Sequence, residues 1–156
     1  MDALPELNLP PCGLKMRPDA DSRRGGMEVY DATRRRWVAL TPEEWVRQNF
    51  VAFLVSCKGY PQALTANEVS LRLNGLSRRC DTVVYDRVLR PLVVVEYKAP
   101  SVDITQKVFD QIARYNIVMG APYLIVSNGL VHYCCRFAGG SYTFLRQIPA
   151  YADIAP

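Results

Sequence analysis

Two acids and a lysine stand out for the chemistry their spacing allows: Asp81, Glu96 and Lys98. One residue separates Glu96 from Lys98, so on a β-strand, where side chains alternate with period two, they share a face. Asp81 lies in a strand-like run, Arg79 to Tyr85, and Leu92 to Lys98 forms a second. The second is continuous and β-branched, like a central buried strand. If the turn between them runs from Asp86 to Pro91, Tyr85 pairs with Leu92, Val83 with Val94 and Asp81 with Glu96. That register sets the two carboxylates opposite each other, with Cβ atoms roughly 4.5–5.5 Å apart.

Two bare carboxylates so placed repel, and burying a charge costs several kcal/mol unless it is paired. A hard divalent cation removes the conflict, because Mg²⁺ prefers oxygen ligands and keeps several waters. Mn²⁺ suits the same ligands. The Lys98 ammonium can orient or help deprotonate the attacking water and offset charge on a phosphoryl transition state. Acid, acid and lysine on one edge therefore suit metal-assisted phosphodiester hydrolysis. On an exposed edge strand the same residues would be only a surface Lys–Glu pair. As a bare string, Asp, fourteen residues, then Glu-x-Lys arises often by chance, so the weight rests on its context.

That context is a set of elements with clear boundaries. Residues 1–26 hold several prolines and paired glycines and read as an extended arm, partly ordered on a single domain of residues 27–156. Met27–Tyr30 and Trp37–Leu40 flank a polar stretch as a β-hairpin. Thr41 as N-cap, Pro42 in the first turn and Glu44 as a capping-box acid start a helix with an apolar stripe of Trp45, Phe50, Phe53 and Leu54. Gly59 and Pro61 end it. Glu68–Leu73 and Arg79–Tyr85 are joined around Asn74-Gly75, a strong hairpin signal. After Lys98, Asp103 is a candidate N-cap for a helix running to Met119 and stopped by Gly120. Tyr123–Val126 then completes a crossover, and turns at Asn128-Gly129 and Gly139-Gly140 bracket two last strands. The order predicts an α/β fold with an αβββαβ core, a mixed sheet flanked by helices, and an extra C-terminal hairpin.

Composition narrows the function classes. The 156 residues carry 22% charged and 49% hydrophobic side chains, as a soluble domain does, with a net charge of +4 that permits nucleic-acid binding without demanding it. No apolar run reaches the ~20 residues a spanning helix needs, and the acidic, proline-broken start is unlike a secretory signal, so a cytoplasmic address without a membrane partner is expected. Five cysteines without C-x-x-C spacing argue against a disulfide framework or a zinc site, and predict free thiols, buried or half-buried. The single histidine, His132, argues against a His-based metal cluster.

Arg79-Cys80-Asp81, then Val94-Val95-Glu96-Tyr97-Lys98-Ala99-Pro100, then Gln111-Ile112-Ala113-Arg114-Tyr115 resemble the N-terminal nuclease domain of type I restriction enzyme R subunits, a family of PD-(D/E)xK nucleases. The resemblance runs from about Thr41 to Phe137 and includes that family's Q-x-x-x-Y motif at Gln111 and Tyr115. It implies a restriction-endonuclease-like core, Mg²⁺ dependence and cleavage of DNA, with other restriction-system subunits or a second copy of the chain as protein partners. Cys80 departs from the family by standing where the proline often is, and no G-x-x-x-x-G-K-[ST] motor loop occurs.

On this reading Asp81, Glu96 and the Tyr97 carbonyl hold the metal and Lys98 positions water. Glu44 either approaches the metal or only caps its helix. Glu68 is a further acid within range. Gln111 and Tyr115 share a helical face and contact DNA or brace the catalytic strand, Tyr115 serving equally well as core. Arg79, Lys107 and Arg114 are candidate phosphate contacts. The alternative is a module of the same fold that binds nucleic acid or another subunit without cutting.

Overall fold

The computed structural model describes residues 3–156. A small antiparallel sheet comes first, of strands β1 (Met16–Pro18), β2 (Met27–Asp31) and β3 (Arg36–Ala39) in that order. The N-terminal arm therefore contributes a strand, with Met16 paired to Val29. Helix α1 (Pro42–Lys58) begins where the Thr41 hydroxyl accepts the Glu44 amide proton at 3.1 Å, and ends at Gly59 in the left-handed conformation. Val46, Phe50 and Leu54 are its buried face. Trp45 and Phe53, expected in that stripe, are only half-buried, and the Trp45 indole donates to the Pro5 carbonyl at 3.0 Å.

Strands β4 (Thr65–Leu73) and β5 (Leu76–Tyr85) meet at Asn74 and Gly75, both with positive φ, as a two-residue hairpin turn requires. Strand β6 (Pro91–Tyr97) is antiparallel to β5, and helix α2 (Gln106–Met119) carries the chain over to β7 (Tyr123–Ser127), parallel to β6. Strands β8 (His132–Ala138) and β9 (Ser141–Leu145) form the C-terminal hairpin. The six strands lie in sequence order, β4 to β9, giving a mixed α/β sheet flanked by helices. A short helix, α3 (Tyr151–Ile154), closes the chain and was not foreseen from sequence.

The core has two layers. On one side Val84, Val93, Val95 and Tyr97 pack with Phe50 and Leu54 of α1. On the other, Val83, Val94 and Val126 pack with Val108, Ile112 and Tyr115 of α2. Strand β6 is therefore buried on both faces, which explains its unbroken apolar run.

Three local expectations need correction. The N-cap of α2 is Thr105 rather than Asp103, and its side chain makes no capping bond. Val83 pairs with Val94 as expected, but Tyr85 pairs with Pro91 instead of Leu92, because an irregularity between Val84 and Tyr85 absorbs one residue. All five cysteines are free, but Cys57 is exposed.

The arm is pinned beside the end of β7. The Asn8 amide donates to the Gly129 carbonyl at 2.8 Å, and His132 Nε2 donates to the Asn8 carbonyl at 2.9 Å. With Nε2 protonated, His132 Nδ1 accepts from the Ser127 hydroxyl at 2.7 Å, so both ring nitrogens are engaged structurally. Burial lowers the His132 pKa and favours this neutral ring. Gly129 has φ 84°, and a Cβ there would stand 2.7 Å from Leu7 Cδ2 and 3.2 Å from Val46 Cγ2. Gly129→Ala is expected to cost about 2 kcal/mol through left-handed strain and this crowding. Urea denaturation checks it, and an unchanged midpoint would contradict the close packing.

Candidate active site

Strands β4 and β5 turn over where they pass the site. Asn67 and Thr82 are buried and bonded to each other at 2.6 Å, with the Tyr97 hydroxyl donating to Thr82 at 2.9 Å on the α1 side. Two residues further along the ladder, Cys80 belongs to the α2-side cluster and its partner Val69 packs against that cluster. Between these positions lie Glu68 and Asp81. Glu68 takes φ 59°, a left-handed conformation that costs a residue with a Cβ roughly 1–2 kcal/mol. The reversal leaves Asp81 out of the regular ladder, and it reaches Arg47 of α1 and the backbone at the end of β6.

Asp81 Oδ2 accepts the backbone N–H of Tyr97 at 2.8 Å, which ties β5 to the end of β6 directly beside Glu96. The two carboxyl groups are close enough to share a proton. Lys98 Nζ lies 3.5 Å from Glu96 Oε1, and its backbone N–H continues the parallel ladder to the Ser127 carbonyl at 2.9 Å. Gln111 Nε2 reaches the same Glu96 oxygen at 3.4 Å and the Tyr115 hydroxyl at 3.0 Å. Tyr115 is otherwise buried in the α2-side core. Asp81, Glu96, Lys98, Gln111 and Tyr115 are thus brought together.

Glu44 is placed differently. Its carboxylate is held by Arg34 and Arg47 and by Gln48 Nε2 at 2.9 Å, so the acid that caps α1 faces the small sheet's hairpin. The acid of α1 that feels Asp81, Lys98 and Glu96 is its neighbour Glu43, whose carboxyl is raised by desolvation and then by Asp81. Arg47 was also missed by sequence reasoning. It is 4% exposed, with Nη2 at 2.6 Å from Glu68 Oε1 and 3.5 Å from Asp81 Oδ1. Its signal was its place one helical turn after Glu44 and one turn before Phe50 and Val51. Arg79 is exposed and bonded to Glu68 at 3.1 Å, while Lys107 and Arg114 are exposed on α2.

The electrostatics follow from crowding. Burial first, then the charge of Asp81, pushes Glu96 up to about 8, against the opposing pull of Lys98. Burial also raises Asp81, while the Tyr97 amide and Arg47 pull it down. The neighbours divide the pair, leaving the proton with Glu96. Among the described residues no cluster of three or more His, Cys, Asp or Glu side chains has metal-holding geometry. Two carboxylates and a backbone carbonyl are nevertheless a donor set that suits Mg²⁺, which commonly takes one or two carboxylates and fills its shell with water and phosphate oxygens. A cavity of about 660 Å³ lined by Leu4, Met27, Leu40 and Pro100 includes none of these acids.

The family described as the type I restriction enzyme R protein N terminus (HSDR_N) matches residues 42–149. Among solved structures, the chain is similar to a fragment described as an HsdR subunit of a type I restriction enzyme from Vibrio vulnificus YJ016. The TM-score is 0.58 and the identity 16%, over 74% of this chain and 24% of that one. The likeness is one of fold, and the chain spans about a quarter of that structure's length. No curated protein matches. No helix among the described residues is long and apolar enough to cross a membrane.

The raised carboxyl of Glu96 has a consequence for stability. Its affinity for a proton is higher folded, near 8, than its ordinary value of 4.5. The resulting stabilisation is full below 4.5 and lost as pH rises toward 8, at up to about 1.4 kcal/mol per pH unit. Urea denaturation of the metal-free protein across pH 5–8 should show this loss, and Glu96→Gln, which cannot ionise, should lack it. Parallel pH profiles for the two proteins would contradict the assignment.

Proposed function

The chain belongs to the type I restriction enzyme R protein N-terminal family, and from that premise we propose that it is a PD-(D/E)xK endonuclease that hydrolyses DNA phosphodiester bonds with Mg²⁺. One observation carries the reading. Two carboxyl groups that repel each other, the half-buried Asp81 and the buried Glu96, adjoin with the Lys98 ammonium 3.5 Å from Glu96. A purely structural pair has no reason to retain that conflict.

Asp81, Glu96 and the Tyr97 carbonyl would hold Mg²⁺, with Mn²⁺ able to replace it. Bound there, the ion would polarise a phosphoryl oxygen and offset the charge gathering on it. Asp81 keeps its direction because the Tyr97 amide fixes one of its oxygens. Glu96 keeps its own because Gln111 and Lys98 share the other end of its carboxylate. Lys98 is partly exposed, so its ammonium can meet the attacking water and a phosphoryl oxygen while tethered to Glu96. Arg79, Lys107 and Arg114 are exposed on β5 and α2 and would meet the DNA backbone, which positions a duplex without reading its sequence. Other subunits of a restriction complex, or a second copy of this chain, are the protein partners the reading allows.

The test is cleavage of a panel of DNA and RNA substrates with Mg²⁺ or Mn²⁺, comparing the parent with Lys98→Ala. The variant is expected to fold normally by circular dichroism and to cut at least about 100-fold more slowly. Equal rates would rule out Lys98 as a catalytic residue. A parent that binds the metal yet cuts nothing in the panel would favour the non-cleaving module.

A further inference from the structure

Five acids surround the site: Glu43, Glu44, Glu68, Asp81 and Glu96. So many oxygens could feed a pair of ions bridged by one carboxylate, the arrangement of two-metal phosphodiesterases. The side of Asp81 facing Glu68 is already occupied by a cation of the protein itself. Arg47 Nη2 stands 2.6 Å from Glu68 Oε1 and 3.5 Å from Asp81 Oδ1, so one nitrogen spans carboxylates of adjacent strands as a bridging ion would. Nη1 lies 3.2 Å from Glu44 Oε2.

The guanidinium is held there by charge more than by hydrogen bonds. It is 4% exposed, and its Nε and Nη1 atoms have no hydrogen-bond acceptor. The Tyr97 ring lies 5.8 Å from its central carbon. Glu96, in contrast, is engaged by Lys98 and Gln111, so the Glu96 side of Asp81 is where a divalent ion can be held.

Resting on the Mg²⁺ reading of Asp81 and Glu96, we propose that Arg47 is a positioning residue that acts as a fixed second cation and limits this acidic cluster to one divalent ion. A second ion between Asp81 and Glu68 would have to displace the Arg47 guanidinium or sit against its positive charge at contact distance. Glu68, in this account, neutralises Arg47 and is not a metal ligand. Its left-handed backbone is the cost of directing its carboxylate toward that cation.

The experiment is a Mn²⁺ titration of the full chain at pH 8, with free ion counted by electron paramagnetic resonance. The parent and Arg47→Lys should each bind one ion per chain. Glu68→Gln should also bind one, with affinity within about threefold of the parent, since it removes a partner of Arg47 and no ligand. Arg47→Gln, which keeps a polar side chain but removes the charge, should bind a second ion. Two ions in the parent, one ion in a folded Arg47→Gln, or loss of the ion in Glu68→Gln would each overturn the proposal while leaving the Mg²⁺ reading intact. No ion in the parent would overturn both. If Arg47→Gln does not fold, the parent count and the Glu68→Gln affinity decide.

Discussion

Repulsion between the carboxylates of Asp81 and Glu96 shapes everything within a helical turn of them. Ionising both acids side by side is unfavourable with Glu96 buried and Asp81 half-buried, and the protein supplies a separate partner for each. Asp81 has a backbone N–H and a buried arginine; Glu96 has a lysine and a glutamine. These partners come from β6 and the residue that follows it, from α1 and from α2, so the two acids are held by elements from both faces of the sheet.

A second chain of polar contacts carries this constraint to the small sheet. Buried Asp31 is bonded to Arg34 and to Asn67 Nδ2 at 3.0 Å, Asn67 accepts from Thr82, and Thr82 accepts from Tyr97. Burial alone would raise the Asp31 carboxyl, but hydrogen bonds from Thr33, the Arg34 amide, Asn67 and Arg34 hold it well below the usual carboxylate range. Arg34 also bonds Glu44, which in turn contacts Arg47. The β2–β3 hairpin is therefore coupled to the site through two routes, one ending at Tyr97 and one at Arg47.

What could be read in the sequence was local chemistry. Thr41 before Pro42, Asn74 before Gly75 and the β-branched run of β6 each act within a few residues, and the structure has them as expected. Val83 opposite Val94 followed from the turn length, and Tyr85 opposite Leu92 failed because the irregularity after Val84 depends on how Pro91 enters the sheet. The choice between Glu43 and Glu44 could not be made from spacing. Adjacent helical residues point about 100° apart, and which one faces the site depends on Arg34, ten residues earlier on another element. The position of Arg47 after Glu44 was legible, but its role was not, since its partners Glu68 and Asp81 lie on strands remote in sequence. The reversal at Glu68 had no signature, because glutamate is an unusual residue at positive φ.

We propose that Asp81 and Glu96 adjoin because a divalent ion belongs between them. The most direct test is an anomalous difference map from crystals grown with Mn²⁺. The account predicts one peak, bounded by the Asp81 and Glu96 carboxylates and the Tyr97 carbonyl, with Arg47 still on Glu68. A peak elsewhere, or none at ion concentrations that saturate related oxygen-ligand sites, would contradict it.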